Sequence, residues 1–503
     1  MTTQAEFETW LKSSHGRRTV LVEAVARVGV TETTFYMTNR AYNTGAADAP
    51  ANTHYRPIIT GGVTFNEALN VLGFDGPGSS AGAARFATGA FILQNRDGAL
   101  DGWLGYVWAN RVIRVYMGDP TWSRADFYPI FNGIIDDIKP SGREALSLTV
   151  TDKLQRLNSP ISEVKIGGAG IDKDTLLPVC FGECHNAEPV LTAAATHDYA
   201  FHVGQAEVIN EARDNGVPVN FSSTLLGTGK VRLLQSPTNG GTITLSVQGD
   251  KSGGVYTDRI GPIIQRIVTG FGKATERFLN ADLDLANLTA FNAANPQCVG
   301  LYSRDRVNVL EACNILAASV GAQIAMSRAS QLRIHKVELP PSGAPRDIKR
   351  SDYEQFSLSI KARSLVRGAV KLGYCRNWAV QSNLQTGIPE AHKELYGKEY
   401  LTATATDAGT IGDWKLVGDP EEEDTLLNIG SEAQSEANRR RDLWKVPRHI
   451  YEVVCLPHML TLELGQPVRL FGNRFGMEAG KVGMVTALDS NWLDGRVRVE
   501  VLA

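Results

Sequence analysis

A period of two constrains this chain more than any other feature. TVLVEAVARV (19–28), TTFYMTN (33–39), RVIRVYMGD (111–119) and ALSLTVTD (145–152) each set apolar against polar side chains at alternate positions. Only an extended strand sends successive side chains to opposite faces, so each of these belongs to a sheet with one buried face. GRVRVEVL (495–502) repeats the pattern at the other end of the sequence. Between the strands, clusters of Gly, Asn and Pro supply turns.

The reading that follows is a mainly β protein with an α+β insertion, in four parts. Residues 1–157 form a β-barrel-like domain behind a short amphipathic helix, AEFETWLKSS, with Phe7, Trp10 and Leu11 at helical spacing. Residues 158–255 are again strand-rich. Over 256–345 the period changes: Ile260, Ile263, Ile264, Ile267 and Val268 make a helix stripe with Pro262 in its first turn, and Val309, Cys313, Leu316 and Val320 make a second, stopped by Gly321. The strands AQIAMSR and QLRIHKVEL follow as a hairpin, and PPSGAP (340–345) closes this small α+β domain. Residues 346–503 form a second barrel-like domain with one helix near 431–444, opened by Ser431 and Gln434 in capping-box spacing, and with Glu436 four residues before Arg440. Its core is expected from Val468, Leu470, Val482, Met484, Val497, Val499 and Val501. The two β-rich ends resemble each other: RVIRVYMGD…FNGIIDDIKPSGREALSLTVTD has a loose counterpart in QPVRLFGNRFGMEAGKVGMVTALDSNWLDGRVRVEVL.

Candidate chemistry is sparse. Asp136 and Asp137 in IFNGIIDDIKPSGREALSLTVTD are adjacent carboxylates in an apolar setting, but no His, second acid cluster or ligand spacing lies close by. They read as rim residues of a hairpin, with Ile134, Asp136 and Ile138 on one side and Phe131, Gly133, Ile135 and Asp137 on the other. Cys180, Cys184 and His185 offer three ligands, where a structural zinc site or an iron–sulfur cluster takes four. Cys298, Cys313, Cys375 and Cys455 form no second close pair, so neither metal nor cofactor is expected and the six thiols are read as free. LLGTGKV has Thr224 and Val231 where a phosphate loop needs Gly and Ser or Thr. His197 and His202, five apart in a strand-like stretch, fall on opposite faces. The runs EEED and Arg439–Arg441 read as solvated faces, and Trp103 to Trp108 (WLGYVW) as core or an intersubunit seam. No residue is assigned a catalytic role.

A formal charge of -3 leaves no footprint for general nucleic-acid binding. No apolar run is long enough for a membrane helix, and MTTQAEFETWLKSSHGRR has no apolar signal core, so synthesis in a cytoplasm is expected.

The order of several phrases is more informative. HYRPIITGGVTFNEALN, NRDGALDGWLGYVWANRVIRVYMGD, IFNGIIDDI and LTVTDKLQRLNSPI resemble the opening domain of tail-tip and baseplate hub proteins of long-tailed, siphovirus-like bacteriophages. LPVCFGECHNAEPVL, YAFHVGQAEVINEARDNGVPV and CVGLYSRDRVNVLEACNILAASVGAQIAMSRASQLRIHKVELP are similar to that family's middle region, and VKLGYCRNWAVQ and LELGQPVRLFGNRFGMEAGKVGMVTAL to its closing part. The resemblance implies a virion protein made in the host cytoplasm. It would join the tail tube and distal tail ring to tail-tip or fibre proteins, beside the tape-measure protein. It also implies a trimer with two related barrel-like domains per protomer, through which DNA passes without specific binding. The chain lacks the four-cysteine C-terminal cluster of some hub relatives, so an iron–sulfur cofactor is not expected. Two alternatives remain open: a tail-associated cell-wall or glycan hydrolase, and a receptor-binding module.

Overall fold

The computed structural model describes residues 2–13, 17–71, 86–167, 173–238, 241–382 and 384–503. Helix α1 (Gln4–Lys12) begins at Thr3, whose hydroxyl and backbone exchange hydrogen bonds with Glu6 in a capping box, and it buries Phe7 and Leu11; Ser14 lies outside the described residues. Seven strands of one sheet follow, apart from a two-residue pair at Tyr42–Asn43 and His54–Tyr55: β1 (Thr19–Val28), β2 (Thr31–Thr38), β3 (Ile59–Ala68), β4 (Thr88–Gln94), β5 (Val112–Gly118), β6 (Tyr128–Pro140) and β7 (Ala145–Thr151).

In the middle of the chain, β8 (Val179–Ala187), β9 (Ala206–Asp214), β10 (Ile243–Asp250) and β11 (Gly300–Ser303) belong to a second sheet. Helices α2 (Ile260–Gly270), α3 (Leu285–Ala294) and α4 (Val309–Ala318) pack with the hairpin of β12 (Ala322–Met326) and β13 (Leu332–Lys336). All five residues of the α2 stripe are buried, as the 3.6-residue period requires.

The last part contains β14 (Arg346–Ile348), β15 (Ser359–Arg363), β16 (Ala369–Tyr374), α5 (Glu390–Tyr396), β17 (Leu401–Thr406), α6 (Ala408–Trp414), β18 (Glu422–Asp424), α7 (Gly430–Trp444), β19 (His449–Cys455), β20 (Pro467–Leu470), β21 (Lys481–Asn491) and β22 (Arg496–Leu502). Instead of one helix it holds three. The short α5 and α6 span too few turns to show a period.

Thirteen strands from both ends of the chain make one sheet, in the order β2-β1-β5-β6-β7-β4-β3-β21-β22-β19-β15, with β20 pairing β21 and β14. Among the described residues no sheet closes on itself. The reason is local: β3 gives its outer edge to β21, Thr64–Ala68 against Ala487–Asn491, instead of returning to β1. One hydrophobic core accordingly draws on residues 7–150 and 325–503 together.

Within that sheet two six-stranded units share a strand order. The first reads β1-β5-β6-β7-β4-β3 and the second β14-β20-β21-β22-β19-β15, so each places its first, fourth, fifth, sixth, third and second strands side by side. The register agrees residue by residue. Val112 pairs with Ile134 and Ile113 with Gly133; Pro467 pairs with Met484 and Val468 with Gly483. A bulge falls between Ile135 and Asp137 in one unit and between Val485 and Ala487 in the other. Phe91 faces Leu148 as Val453 faces Val499. One pairing differs: β1 and β5 are antiparallel, β14 and β20 parallel.

Gly133 and Gly483 occupy equivalent places for the same reason. A Cβ on Gly133 would lie 2.6 Å from the Thr151 carbonyl oxygen, and one on Gly483 would lie 2.4 Å from that of Leu502.

The bulges shift the phase that simple alternation predicts. Because a bulge adds one unpaired residue, Ile138 joins Ile135 in the core and not Ile134. In the second unit Val485 and Leu488 enter the core in the same way, while Val482 is only half-buried. No helix among the described residues is long and apolar enough to cross a membrane.

Candidate functional site: buried ionic pins and open strand edges

Asp136 and Asp137 lie at the far end of β6, both exposed. Asp136 accepts from the Thr149 hydroxyl at 3.2 Å, while Asp137 turns back to accept from the N–H of Ile138 at 2.8 Å. They do not face each other across a shared proton or a cleft. The hairpin's closing bond, Ser141 N–H to the Ala145 carbonyl, sets the phase of this strand and points the Ile138 N–H away from β7. The Asp137 carboxylate therefore satisfies a donor at an open sheet edge.

Cys180 and Cys184 are buried in β8, and all six cysteines are free. Burial, then the neighbouring Cys180, pushes the Cys184 thiol well up, so it stays protonated. His185 lies 3.8 Å from Glu183 and is partly exposed. Among the described residues no group of three or more His, Cys, Asp and Glu side chains is placed to hold a metal ion. LLGTGKV forms a single tight helical turn, Leu226–Thr228, ended by Gly229 at a φ of 65°. A Cβ on Gly229 would strike the His202 carbonyl, so this glycine serves a close backbone approach. His197 caps a short turn, and its ring lies 3.1 Å from the Ser236 hydroxyl.

No local pattern announced what surrounds His202, which is fully buried. Its Nδ1 accepts from the Cys180 backbone N–H at 3.0 Å, and its Nε2 faces Asp250 at 3.1 Å. Arg266 of α2 reaches the other Asp250 oxygen at 2.8 Å. Burial alone would raise the Asp250 carboxyl; the bonds from His202 and Ser252 and the charge of Arg266 outweigh it and hold the group below its usual value. The order resembles a catalytic triad, yet the His meets a peptide N–H where a triad has a hydroxyl or thiol. It pins β8, β10 and α2 together.

The charged runs are only in part solvated faces: Glu421 and Asp424 are exposed, the others are drawn into the fold. Glu436 is buried and accepts from Arg439 and Arg440 at 2.7 and 2.8 Å. Arg440 also reaches Glu423 and the carbonyls of Ala318 and Ser319, while Arg439 reaches that of Val320. Two guanidinium groups thus satisfy carbonyls at the C-terminal end of α4, where the helix dipole favours positive charge. Glu423 is not in a loop: β18 pairs in parallel with β16, and Glu423 binds Arg367 as well. The Glu436–Arg440 pair has the four-residue spacing seen in the sequence, whereas the carbonyl partners lie 119 to 122 residues away, beyond the reach of any local pattern. Of WLGYVW, expected as core or an intersubunit seam, Trp103 and Trp108 are core, packed around Phe35 at ring distances of 4.9 and 5.0 Å, while Leu104 and Val107 are exposed.

An open cleft of about 640 Å³ is lined by Tyr374, Tyr400, Lys398, Glu399, Glu422 and Asp424. Burial, offset in part by Lys371, raises the Glu422 carboxyl, and burial with the nearby Glu399 raises that of Asp424. Arg376 pairs with Glu399 at 2.9 Å.

Large apolar side chains also stand in solvent. Phe356, at a φ of 67°, is 92 % exposed, and Leu365 and Val30 are likewise open. Among the described residues the outer strand β15 presents an unpaired edge, while that of β2 is bridged at Met37 by Arg56.

No family model matches the chain, and no curated protein matches it. Solved structures do. A 43 kDa tail protein of prophage MuSo2 from Shewanella oneidensis is 10 % identical over 97 % of this chain and 98 % of its own, with a TM-score of 0.41. A tail protein from Neisseria meningitidis is 10 % identical over 96 % of each chain, with a TM-score of 0.38. A chain from the virion of a native gene transfer agent is 12 % identical over 70 % of this chain and 91 % of its own, with a TM-score of 0.41. These are tail and virion proteins, the class whose phrases the sequence resembles; at such TM-scores the likeness carries no further argument.

Proposed function

We propose that this chain is a structural protein of a phage tail: the hub of the tail tip or baseplate, joining the tail tube and distal ring to the central tip or fibres and surrounding the channel through which DNA leaves. It works as a trimer and without an active site. The observation that carries the reading is the repeated strand order within one sheet. A threefold object can seat on a sixfold tube only if each protomer offers two near-equivalent surfaces, and the units at 1–157 and 346–503 are two such surfaces. Closed rings of this kind also remove open strand edges. The near-neutral charge suits a wall that DNA slides past without binding.

The test is the particle. Deleting the gene should leave tails that are absent or stalled before the tip is added, and side-chain-resolution imaging of intact virions should find this chain at the distal end of the tube. Infectious particles of normal composition assembled without it would overturn the reading.

A hydrolase is favoured by one feature alone, the raised carboxyls of Glu422 and Asp424 in an open cleft. Cell-wall or glycan hydrolysis that disappears in a Glu422→Gln, Asp424→Asn variant would replace the structural reading with that one.

A further inference from the structure

The repeated register makes the strands of one unit comparable with those of the other, save for a bulge at Lys361 of β15 that β3 lacks at the equivalent place, and the two units differ at one edge. In the first, the outer edge of β3 is covered by the end of β21: Leu488 faces Glu67, Ser490 faces Phe65 and Asn491 faces Thr64. Bonds from Leu69 N–H to the Thr486 carbonyl and from Trp492 N–H to the Val63 carbonyl close this junction. In the second unit the strand equivalent to β3 is β15, and among the described residues its outer edge has no neighbouring strand. In the first unit the segment equivalent to the end of β21 is the end of β6, 137–140, and beyond the bulge it too has no neighbouring strand on that side among the described residues. The chain thus contains one made junction and the two separated halves of another.

The side chains agree. Phe65 and Leu69, at the made junction, are 2 % and 5 % exposed; their counterparts Ile360 and Leu365 are 41 % and 71 % exposed. Apolar residues occupy both places, and only the first pair is covered. Charge agrees as well. Lys361 of β15 is already paired with Glu452 and Glu500, which leaves Arg363, stacked over the Trp414 ring, as the cation of this edge; the end of β6 carries Asp136 and Asp137, and among the described residues neither aspartate is held in an ion pair.

We infer that the outer edge of β15 pairs antiparallel with the end of β6 in a second copy of this chain, repeating between protomers the β3–β21 junction found inside each one. Transferring the internal alignment sets Ile138 opposite Arg363, Pro140 opposite Ile360 and Ser141 opposite Ser359. Arg363 then stands beside the Asp136–Asp137 pair, and Ile360 and Leu365 are covered. Pro140, which takes the place of Ser490, has no N–H to give, and the Ile138 N–H joins the ladder only as the Asp137 carboxylate leaves it for Arg363. The contact is heterologous, head to tail, and repeats around a ring. It rests on pairing within one chain and needs no assumption about phage tails.

Ser141→Cys combined with Ser359→Cys tests the register, since both serines are exposed and would face each other across the junction. Under oxidation the full-length double variant should form covalent multimers on a non-reducing gel, and each single variant should not. Arg363→Glu should shift the oligomer toward monomer in sedimentation, and adding Asp137→Lys should restore it. A chain that stays monomeric at every concentration, an oligomer that does not cross-link, or a charge reversal without effect would overturn the inference. A virion protein that fails to cross-link refutes this junction alone, and a cross-linking chain absent from virions refutes the tail role alone.

Discussion

Glu436 shows how much a single side chain can organise here. It sits between Arg439 and Arg440, 3.8 Å from Lys336, and those charges outweigh its burial and hold its carboxyl at about 2 instead of 4.5. Its folded value lies below its unfolded one. The stabilisation is therefore complete above about 4.5 and is lost as the pH falls through about 2. A shift of this size corresponds to about 3 kcal/mol. Glu436→Gln should lower the urea midpoint at pH 7 by an amount of that order, because two buried guanidinium groups lose their carboxylate. It should also flatten the dependence on pH below 4.5. An unchanged midpoint at pH 7 would mean that the arginines are held by the α4 carbonyls alone. The sequence showed only the four-residue spacing of Glu436 and Arg440, which the structure has as an ion pair; the rest was hidden because NRRRD has the composition of a solvated surface and its carbonyl acceptors, Ala318, Ser319 and Val320, lie at the end of another helix.

At the scale of strands and helices, legibility followed the range of the interactions. The alternation of β1, β5, β7 and β22 and the isoleucine stripe of α2 are local periods, and the structure has them where the sequence put them. Helix α3 escaped because LANLTAFNAA distributes apolar residues all around its axis and so has no stripe. The bulges escaped because one inserted residue leaves no mark on composition, though it moves Ile138 and Leu488 to the other face. The repeat was half visible: V-R and a mid-strand Gly recur, but the agreement lies in hydrogen-bond register, which sequence does not display. The glycines test it. Gly133→Ala and Gly483→Ala should each cost about 1–3 kcal/mol, since a Cβ collides with the equivalent carbonyl, Thr151 or Leu502, in both units. Chemical denaturation of the two variants should give similar losses. A large loss in one and none in the other would mean that the two strands relax differently despite their shared register.

For the whole molecule, the decisive feature is that β3 pairs with β21. Removing residues 496–502 should not merely trim an end, because β22 is bonded on both sides, to β21 and β19, and Val497, Val499, Val501 and Leu502 are fully buried. The truncated chain is expected to be insoluble or to lose cooperative thermal unfolding; a soluble product melting like the full chain would show that the two units are held together elsewhere. The same pairing also has a consequence in time. Ser490 and Phe65, hydrogen-bonded across the junction, are 425 residues apart in sequence. At about 5–20 residues per second, a ribosome spends roughly 20–85 seconds between them. Throughout that interval the nascent chain carries an open β3 edge whose partner has not been made. The growing polypeptide is therefore a substrate for chaperones and a seed for aggregation until its final strands emerge, and arrested ribosomes carrying its first half should be enriched in bound holdases relative to those that have passed residue 491.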